Sequence, residues 1–443
     1  MNGSTDAVAG IDAARLAGLK DEVLDWRHQA VPSRFHGSTA AEFAAARPSL
    51  GDLQTPLLTL DRAALSGNIR RFERWCSERG VLYAPHGKTT MSPTLWAEQL
   101  AAGAWGITLA NAQQVRVALQ FGVRRIMVAN SLTDPQAVTD AARAGLAGTR
   151  IVSWVDSERT VALLAGVLAE LPEASLDVIV ELGAPGGRTG ARTDEEALAV
   201  ARAVAAEPQL RLTGTGGYEG SLAHSSDADA IAAVRGYLER IGGLHARFEA
   251  EDLYGTDQVL LTAGGSAYFD DVADVLAPPS RDADAGRPEV RVLLRSGAYI
   301  VHDDGFYRGI SPLSRRDPDD PGAFRSAMHA WARVVSQPEP GLAILDAGKR
   351  DLPVDEGLPV PQLIGPALGA PMTALEGASI TAVNDQHCFL AFDPQLAVAP
   401  GDVVRLGLSH PCTALDKWQL IPVLDDVRSP ESAQVVSTVR TFF

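Results

Sequence analysis

Two short segments carry residue types whose chemistry belongs together. The first is Tyr83-Ala84-Pro85-His86-Gly87-Lys88-Thr89-Thr90, where an imidazole and an amine close an apolar stretch. The second, near the C-terminus, is Ser409-His410-Pro411-Cys412, an imidazole and a thiol in a chain with only 3 cysteines. A lysine amine can hold an aldehyde as a Schiff base, and an imidazole with a thiolate can hold a metal ion. In combination they predict cleavage of a bond beside an amino acid's α-carbon. Each segment alone has a plainer reading: Lys88 as a solvated lysine in a polar turn, His410 and Cys412 as a surface histidine beside a buried cysteine.

The elements that must position these groups follow from periodicity. From about residue 55 to about 303, short apolar runs rich in Val, Ile and Leu alternate with Ala-rich amphipathic segments, the pattern of βα units around a parallel sheet. After an opening strand at 56–60 and a helix over 68–79, strands are expected at 81–85, 106–110, 125–129, 150–155, 176–182, 210–214, 258–262 and 290–294. Helices are expected between them at 93–102, 112–121, 135–144, 158–171, 194–206, 227–248 and 268–276. This count favours an α/β fold of the closed (β/α)8 TIM-barrel type over an open sheet. Beyond Tyr299 the texture turns to short runs broken by Pro and Gly, with a helical pattern only around 322–333. Segments such as 341–346 and 402–406 read as strands of a mostly antiparallel C-terminal β domain. The expected division is therefore an N-terminal helical extension over 1–50, with helices at 12–29 and 40–47, a barrel over 51–300, and a β domain over 301–443 that the 56–60 strand could join. Residues 281–288 read as an exposed acidic loop.

In a barrel of this type the reacting groups stand at the C-terminal ends of the strands. Lys88 and His86 follow the first of the eight. Arg188 lies in the Gly-rich run 183–190 after the fifth, a fixed cation able to bond a ring oxygen. Tyr218 and Glu219, in Gly216-Gly217-Tyr218-Glu219-Gly220, follow the sixth. Gly264, Gly265 and Ser266 follow the seventh, where backbone amides and a hydroxyl can meet a phosphate, although a Gly-Gly-Ser turn also serves as a plain tight turn. Tyr299 follows the eighth, placed either to reach that phosphate or to pack. In an extended backbone His410 and Cys412 would face the same side, two protein ligands leaving open positions on a metal. The cluster Asn384-Asp385-Gln386-His387 offers further polar groups, while Cys388 reads as core.

Bulk properties narrow the partners. A formal charge of -16 and a pI near 5.0 oppose binding to nucleic acid or anionic lipid, and no basic run offsets them. No stretch reads as a secretory signal or a membrane span, and the 3 cysteines do not form a disulfide framework. These features predict a cytoplasmic protein that meets small molecules or copies of itself.

As an ordered set, the Thr55-Pro56 strand with Asn68, Pro85-His86-x-Lys88-Thr89, Gly187-Arg188-Thr189-Gly190, Tyr218-x-Gly220, Gly264-Gly265-Ser266, Gly297-x-Tyr299, Asp346-Ala347-Gly348, His387 and His410-x-Cys412 resemble the fold type III pyridoxal-phosphate enzymes. Within these alanine-racemase-like barrels, they are similar to the D-serine dehydratase and D-threonine aldolase group. The resemblance implies that Lys88 carries pyridoxal 5'-phosphate, that Arg188 contacts its ring oxygen, and that Tyr299 and the glycine loop hold its phosphate. It further implies that His410 and Cys412 bind a catalytic metal, zinc with manganese as the alternative, and that the chain is a homodimer. D-threonine aldolases usually carry a carboxylate where Cys412 stands, so the thiolate points toward a dehydratase. The implied reaction is β-elimination from a 3-hydroxy D-amino acid such as D-serine, giving a 2-oxo acid and ammonia. Three other activities share some of these residues: a metal-dependent retro-aldol lyase, a non-catalytic pyridoxal-phosphate carrier and a cofactor-free metal hydrolase. The segment 413–418 and the N-terminal extension depart from the pattern.

Overall fold

Apolar runs without polar alternation suit strands covered on both faces. In the computed structural model, which describes residues 10–277, 288–315 and 320–443, the run Leu176–Glu181 is buried along its whole length and its neighbours are nearly so. With β1 at Leu57–Asp61 set aside, eight strands form one parallel sheet: β2 (Leu82–Tyr83), β3 (Ile107–Leu109), β4 (Arg125–Ser131), β5 (Arg150–Val155), β6 (Leu176–Glu181), β7 (Leu210–Gly216), β8 (Gln258–Ala263) and β9 (Glu289–Leu294). Pairing runs from β3 in sequence order to β9 and then to β2. Trp105 N donates to Tyr83 O at 2.8 Å and Thr108 N to Pro85 O at 2.9 Å, which closes the ring. The structure is the expected TIM-like barrel. Trp105, Met127, Trp154, Ile179 and Leu260 pack into one cluster inside it. Five of the intervening helices start at side-chain caps: Asn111, Asp134, Ser157, Thr193 and Asp227 each accept an amide from three residues ahead.

The chain divides into two units. One holds Glu73–Lys88 and Gln99–Gly297 with residues 10–12; the other holds Ala13–Phe72, Thr89–Glu98 and Ala298–Phe443. The second unit's sheet contains β10 (Met328–Glu339), β11 (Leu342–Leu345), β12 (Val360–Gly365), β13 (Thr373–Ala374), β14 (Ser379–Val383), β15 (Cys388–Ala391), β16 (Val403–Gly407), β17 (Leu420–Leu424) and β18 (Val435–Arg440). Here β1 pairs antiparallel with β10 and parallel with β17. The strand at 56–60, which the sequence allowed to join the C-terminal domain, thus finds its partners there.

Three local expectations are corrected. The helical pattern at 322–333 runs into a strand: β10 lies between β1 and β16, and Trp331 Nε1 donates to Thr59 Oγ1 at 2.9 Å. Pairing on both sides overrides the helix-forming Ala and Met content. The helix expected at 12–29 is only Ala13–Gly18 followed by the 3-10 turn Leu19–Asp21, after which Glu22 and Asp25 engage His28. The helix at 40–47 is Ala40–Ala45, opened by a Thr39–Glu42 capping box. Of the acidic loop 281–288, all but Pro288 lies outside the described residues. Among the described residues, no helix is long and apolar enough to cross a membrane.

Asn68, fully buried, shows how this unit satisfies its loops. Its Nδ2 donates to Ile300 O at 3.1 Å and Arg325 O at 2.7 Å, and its Oδ1 accepts Arg325 N at 3.0 Å. Asn68→Ala strands buried backbone groups and is expected to lower stability by about 2–4 kcal/mol in a denaturant melt. A change under about 0.5 kcal/mol would show that water replaces the amide there.

Candidate active site

At the C-terminal ends of the barrel strands, the first unit gathers most of the sequence-selected residues. Lys88, half-buried, sits in the 3-10 turn Gly87–Thr89. His86 is held well below the ordinary imidazole range, first by burial and then by the charges of Lys88, Arg295 and Arg188. Its Nδ1 is buried without a hydrogen-bond partner. The Arg188 guanidinium lies 4.8 Å over the Tyr218 ring. Sequence reasoning passed over what holds Arg188: the Arg192 guanidinium donates to the carbonyls of Gly187, Arg188, Thr189 and Gly190 at 2.8–3.1 Å. It also passed over Arg295, buried with Nη1 on Thr262 Oγ1 and Nη2 on Gly217 O, each at 2.6 Å. A small cleft is lined by Glu181, Arg188, Thr189, Tyr218, Ser221 and Tyr237. The larger cavity, of about 950 Å³, lies at the other ends of the strands, and its Arg150 and Arg211 are already paired with Asp177 at 2.9 and 2.6 Å. It is not the site that barrel geometry points to.

The glycine loop differs from the sequence expectation in one respect. Gly264, at φ +93°, and Gly265 donate their amides to the fully buried Glu219 carboxylate at 3.0 and 2.6 Å. Ser266 follows them, half-buried.

In the second unit Tyr299 is buried, its ring stacked on Phe72 at 4.2 Å and tilted against Phe324 at 5.9 Å, so the packing alternative describes the ring. His410 and Cys412 lie together, but not on an extended strand. His410 adopts φ +64° as the cap of a short helix, Pro411–Leu415, and Cys412 stands in its first turn. The cause is Asp303, which accepts His410 N at 2.9 Å on one oxygen and the amides of Gly305, Tyr307 and Arg308 on the other. Burial pushes the Asp303 carboxyl up to about 6 despite these amides. Asp355 bonds His410 Nδ1 through one oxygen and accepts Thr413 Oγ1 at 2.6 Å on the other. Burial draws the His410 pKa down, but Cys412 and Asp355 outweigh it and raise it to about 9. Thr89, the residue after Lys88, places Oγ1 3.3 Å from Cys412 Sγ. Among the described residues no three His, Cys, Asp or Glu side chains converge as a metal site, so this is a two-donor pair. His387 is exposed in the turn between β14 and β15, and Cys388 is core.

Comparison with known proteins places these features. The family model "Alanine racemase, N-terminal domain" matches residues 60–269, and "Putative serine dehydratase domain" matches 327–424. The two matches fall on the barrel and on the C-terminal sheet, as in the fold type III, alanine-racemase-like pyridoxal-phosphate enzymes that the chain resembles. It is 29% identical to a D-threonine aldolase of Arthrobacter sp. over 371 residues, 82% of this chain and 86% of that one. It is 27% identical to the D-threo-3-hydroxyaspartate dehydratase of Delftia sp. (strain HT23) over 345 residues, 76% and 84% of the two chains. The crystal structure of D-threonine aldolase from Filomicrobium marinum superposes with a TM-score of 0.70 at 23% identity, covering 88% and 96%, a likeness of fold.

The residues of this chain suit the groups that such enzymes use. The orphaned, buried His86 Nδ1 and the cations Lys88, Arg188 and Arg295 suit an anionic aldehyde. Once a metal displaces its proton, an imidazole held at Nδ1 by a carboxylate presents Nε2 to that metal, and a thiolate completes a soft donor pair.

Glu181 ends β6 with Oε1 accepting Thr189 Oγ1 at 2.8 Å and Oε2 buried without a partner. Burial raises its pKa from 4.5 to about 7, aided by Asp156 and opposed by Thr189, Arg295 and Arg188. Between these values the unfolded chain releases a proton that the folded chain keeps, so stability falls as pH rises from about 4.5 to 7. In cofactor-free protein Glu181→Gln is expected to remove on the order of 3 kcal/mol of this slope. An unchanged stability–pH profile in that variant would assign the slope elsewhere.

Proposed function

We propose that this protein is a pyridoxal-phosphate- and zinc-dependent lyase that eliminates water from a 3-hydroxy D-amino acid, D-serine being the simplest, to yield a 2-oxo acid and ammonia. The observation that carries it is the His410–Cys412 pair with Asp355 on the imidazole Nδ1, in a chain that resembles enzymes whose chemistry starts at an α-carbon. Pyridoxal phosphate supplies an electron sink at that carbon, and zinc supplies Lewis acidity at the β-oxygen.

The chain's own residues do the rest. Lys88 Nζ would hold the cofactor aldehyde, and the same amine is the base placed to take the α-proton. Arg188, fixed by Arg192 and stacked on Tyr218, orients the ring oxygen. Neutral His86 offers its unpartnered Nδ1 without adding a charge. His410 and Cys412 would hold the zinc, and Asp355 and Asp303 keep His410 in place for it. The hydroxyl departs as water, and hydrolysis of the released enamine gives the oxo acid and ammonia.

A second reading, retro-aldol cleavage to glycine and an aldehyde, is favoured by the identity to the Arthrobacter D-threonine aldolase. Assay with D-serine and D-threonine separates them: oxo acid with ammonia supports elimination, and glycine supports cleavage. Cys412→Ala is expected to abolish ammonia release while the visible absorbance of the Lys88-bound cofactor persists. Full activity in this variant, or in the presence of chelator, refutes the metal's role. Asp355→Asn is expected to weaken zinc by about 10–100-fold in chelator competition. Unchanged affinity would mean that Asp355 does not orient the ligand.

A further inference from the structure

The contact between Glu219 and the glycine loop has a role that neither the family comparison nor the proposed reaction assigns. A carboxylate with no exposed surface is costly to bury unless both oxygens are satisfied. Those of Glu219 are, one by Gly264 N at 3.0 Å and one by Gly265 N at 2.6 Å. The carbonyl side of the same two residues is also tied: Arg295 N and Ser296 Oγ donate to Gly264 O at 3.1 and 3.2 Å, and Ser296 Oγ donates to Gly265 O at 3.1 Å. The turn is therefore fixed on both faces, and the next donors along the chain are those of Ser266. A methyl group on Gly265 would lie 3.0 Å from Tyr218 Cε2, so the turn also backs the ring beneath Arg188.

We propose that Glu219 is a positioning residue for the phosphate end of the cofactor: it takes both glycine amides itself and so sets the loop that begins at Ser266 to receive the phosphate. This rests on the pyridoxal-phosphate reading above. The opposite arrangement, in which phosphate displaces Glu219 from the amides, would leave a buried carboxylate without either partner, at a cost comparable to the stabilisation from the phosphate's own hydrogen bonds. Anchoring at two amides agrees with the packing on every side of the loop.

The test uses cofactor-free full-length protein, titrated with pyridoxal phosphate and with pyridoxal, which lacks the phosphate, and followed by visible absorbance. Glu219→Gln keeps the shape but faces one glycine amide with a donor. It is expected to weaken pyridoxal phosphate by roughly 10- to 100-fold and pyridoxal by less than about threefold. Glu219→Asp, which keeps the charge but is too short to reach both amides, should fall between, and it carries the test if the Gln variant does not fold. Equal weakening of both ligands, unchanged affinity, or tighter binding of pyridoxal phosphate each overturns the proposal, the last by identifying Glu219 as a competitor of the phosphate. If wild-type protein binds neither ligand, the cofactor reading falls and this inference with it.

Discussion

The barrel's seam is the constraint on which the site depends. β2 is only Leu82–Tyr83, too short to hold its place by strand pairing on one side. It is fixed because Leu82 and Tyr83 register with Leu293 and Leu294 of β9 while the Tyr83 and Pro85 carbonyls accept Trp105 N and Thr108 N. Pairing on both sides leaves no edge and removes the freedom to slip by one residue, which would turn each side chain to the opposite face. The turn bearing Lys88 follows directly, so the position of the amine is set by backbone bonds made before its own residue is reached. The same seam brings His86 against Thr108, where burial first, and then the field of the nearby cations, keeps its imidazole neutral.

The barrel was legible in the sequence because both faces of its strands are buried, and burial writes itself as continuous apolar runs. All eight runs became strands, and five of the helices between them begin at polar caps visible as single letters. The C-terminal unit was less legible. In β10 the run Ala327-Met328-His329-Ala330-Trp331-Ala332 is composed of residues at home in a helix, and only the presence of β1 and β16 on either side makes it extended. The partner β1 is far away in sequence, so no local pattern announces the pairing.

The same distinction separates what could be read of the site from what could not. Lys88, Arg188 and the His410–Cys412 pair were singled out by residue type and spacing. Their geometry was not, because long-range contacts impose it. His410 takes a left-handed backbone, uncommon for a residue with a side chain, because Asp303 captures its amide from another segment. Arg192 gathers four carbonyls into the loop that presents Arg188, an arrangement no motif describes. Positioning residues of this sort recur at a fixed place in space and not at a fixed spacing in sequence.

Two buried glutamates on the same face of the barrel show how partners, more than burial, decide what a carboxyl does. Glu219 has an amide for each oxygen and so serves as a structural anchor in the absence of water. Glu181 has a hydroxyl for one oxygen and nothing for the other, and burial drives its pKa to about 7. The first is committed to holding a turn; the second is balanced between two protonation states beside Arg188 and Arg295. When an anionic ligand enters among these cations, it draws on charge that Glu181 now shares. That competition favours the protonated form of Glu181, so ligand binding and proton uptake at this carboxyl are linked through the arginines between them.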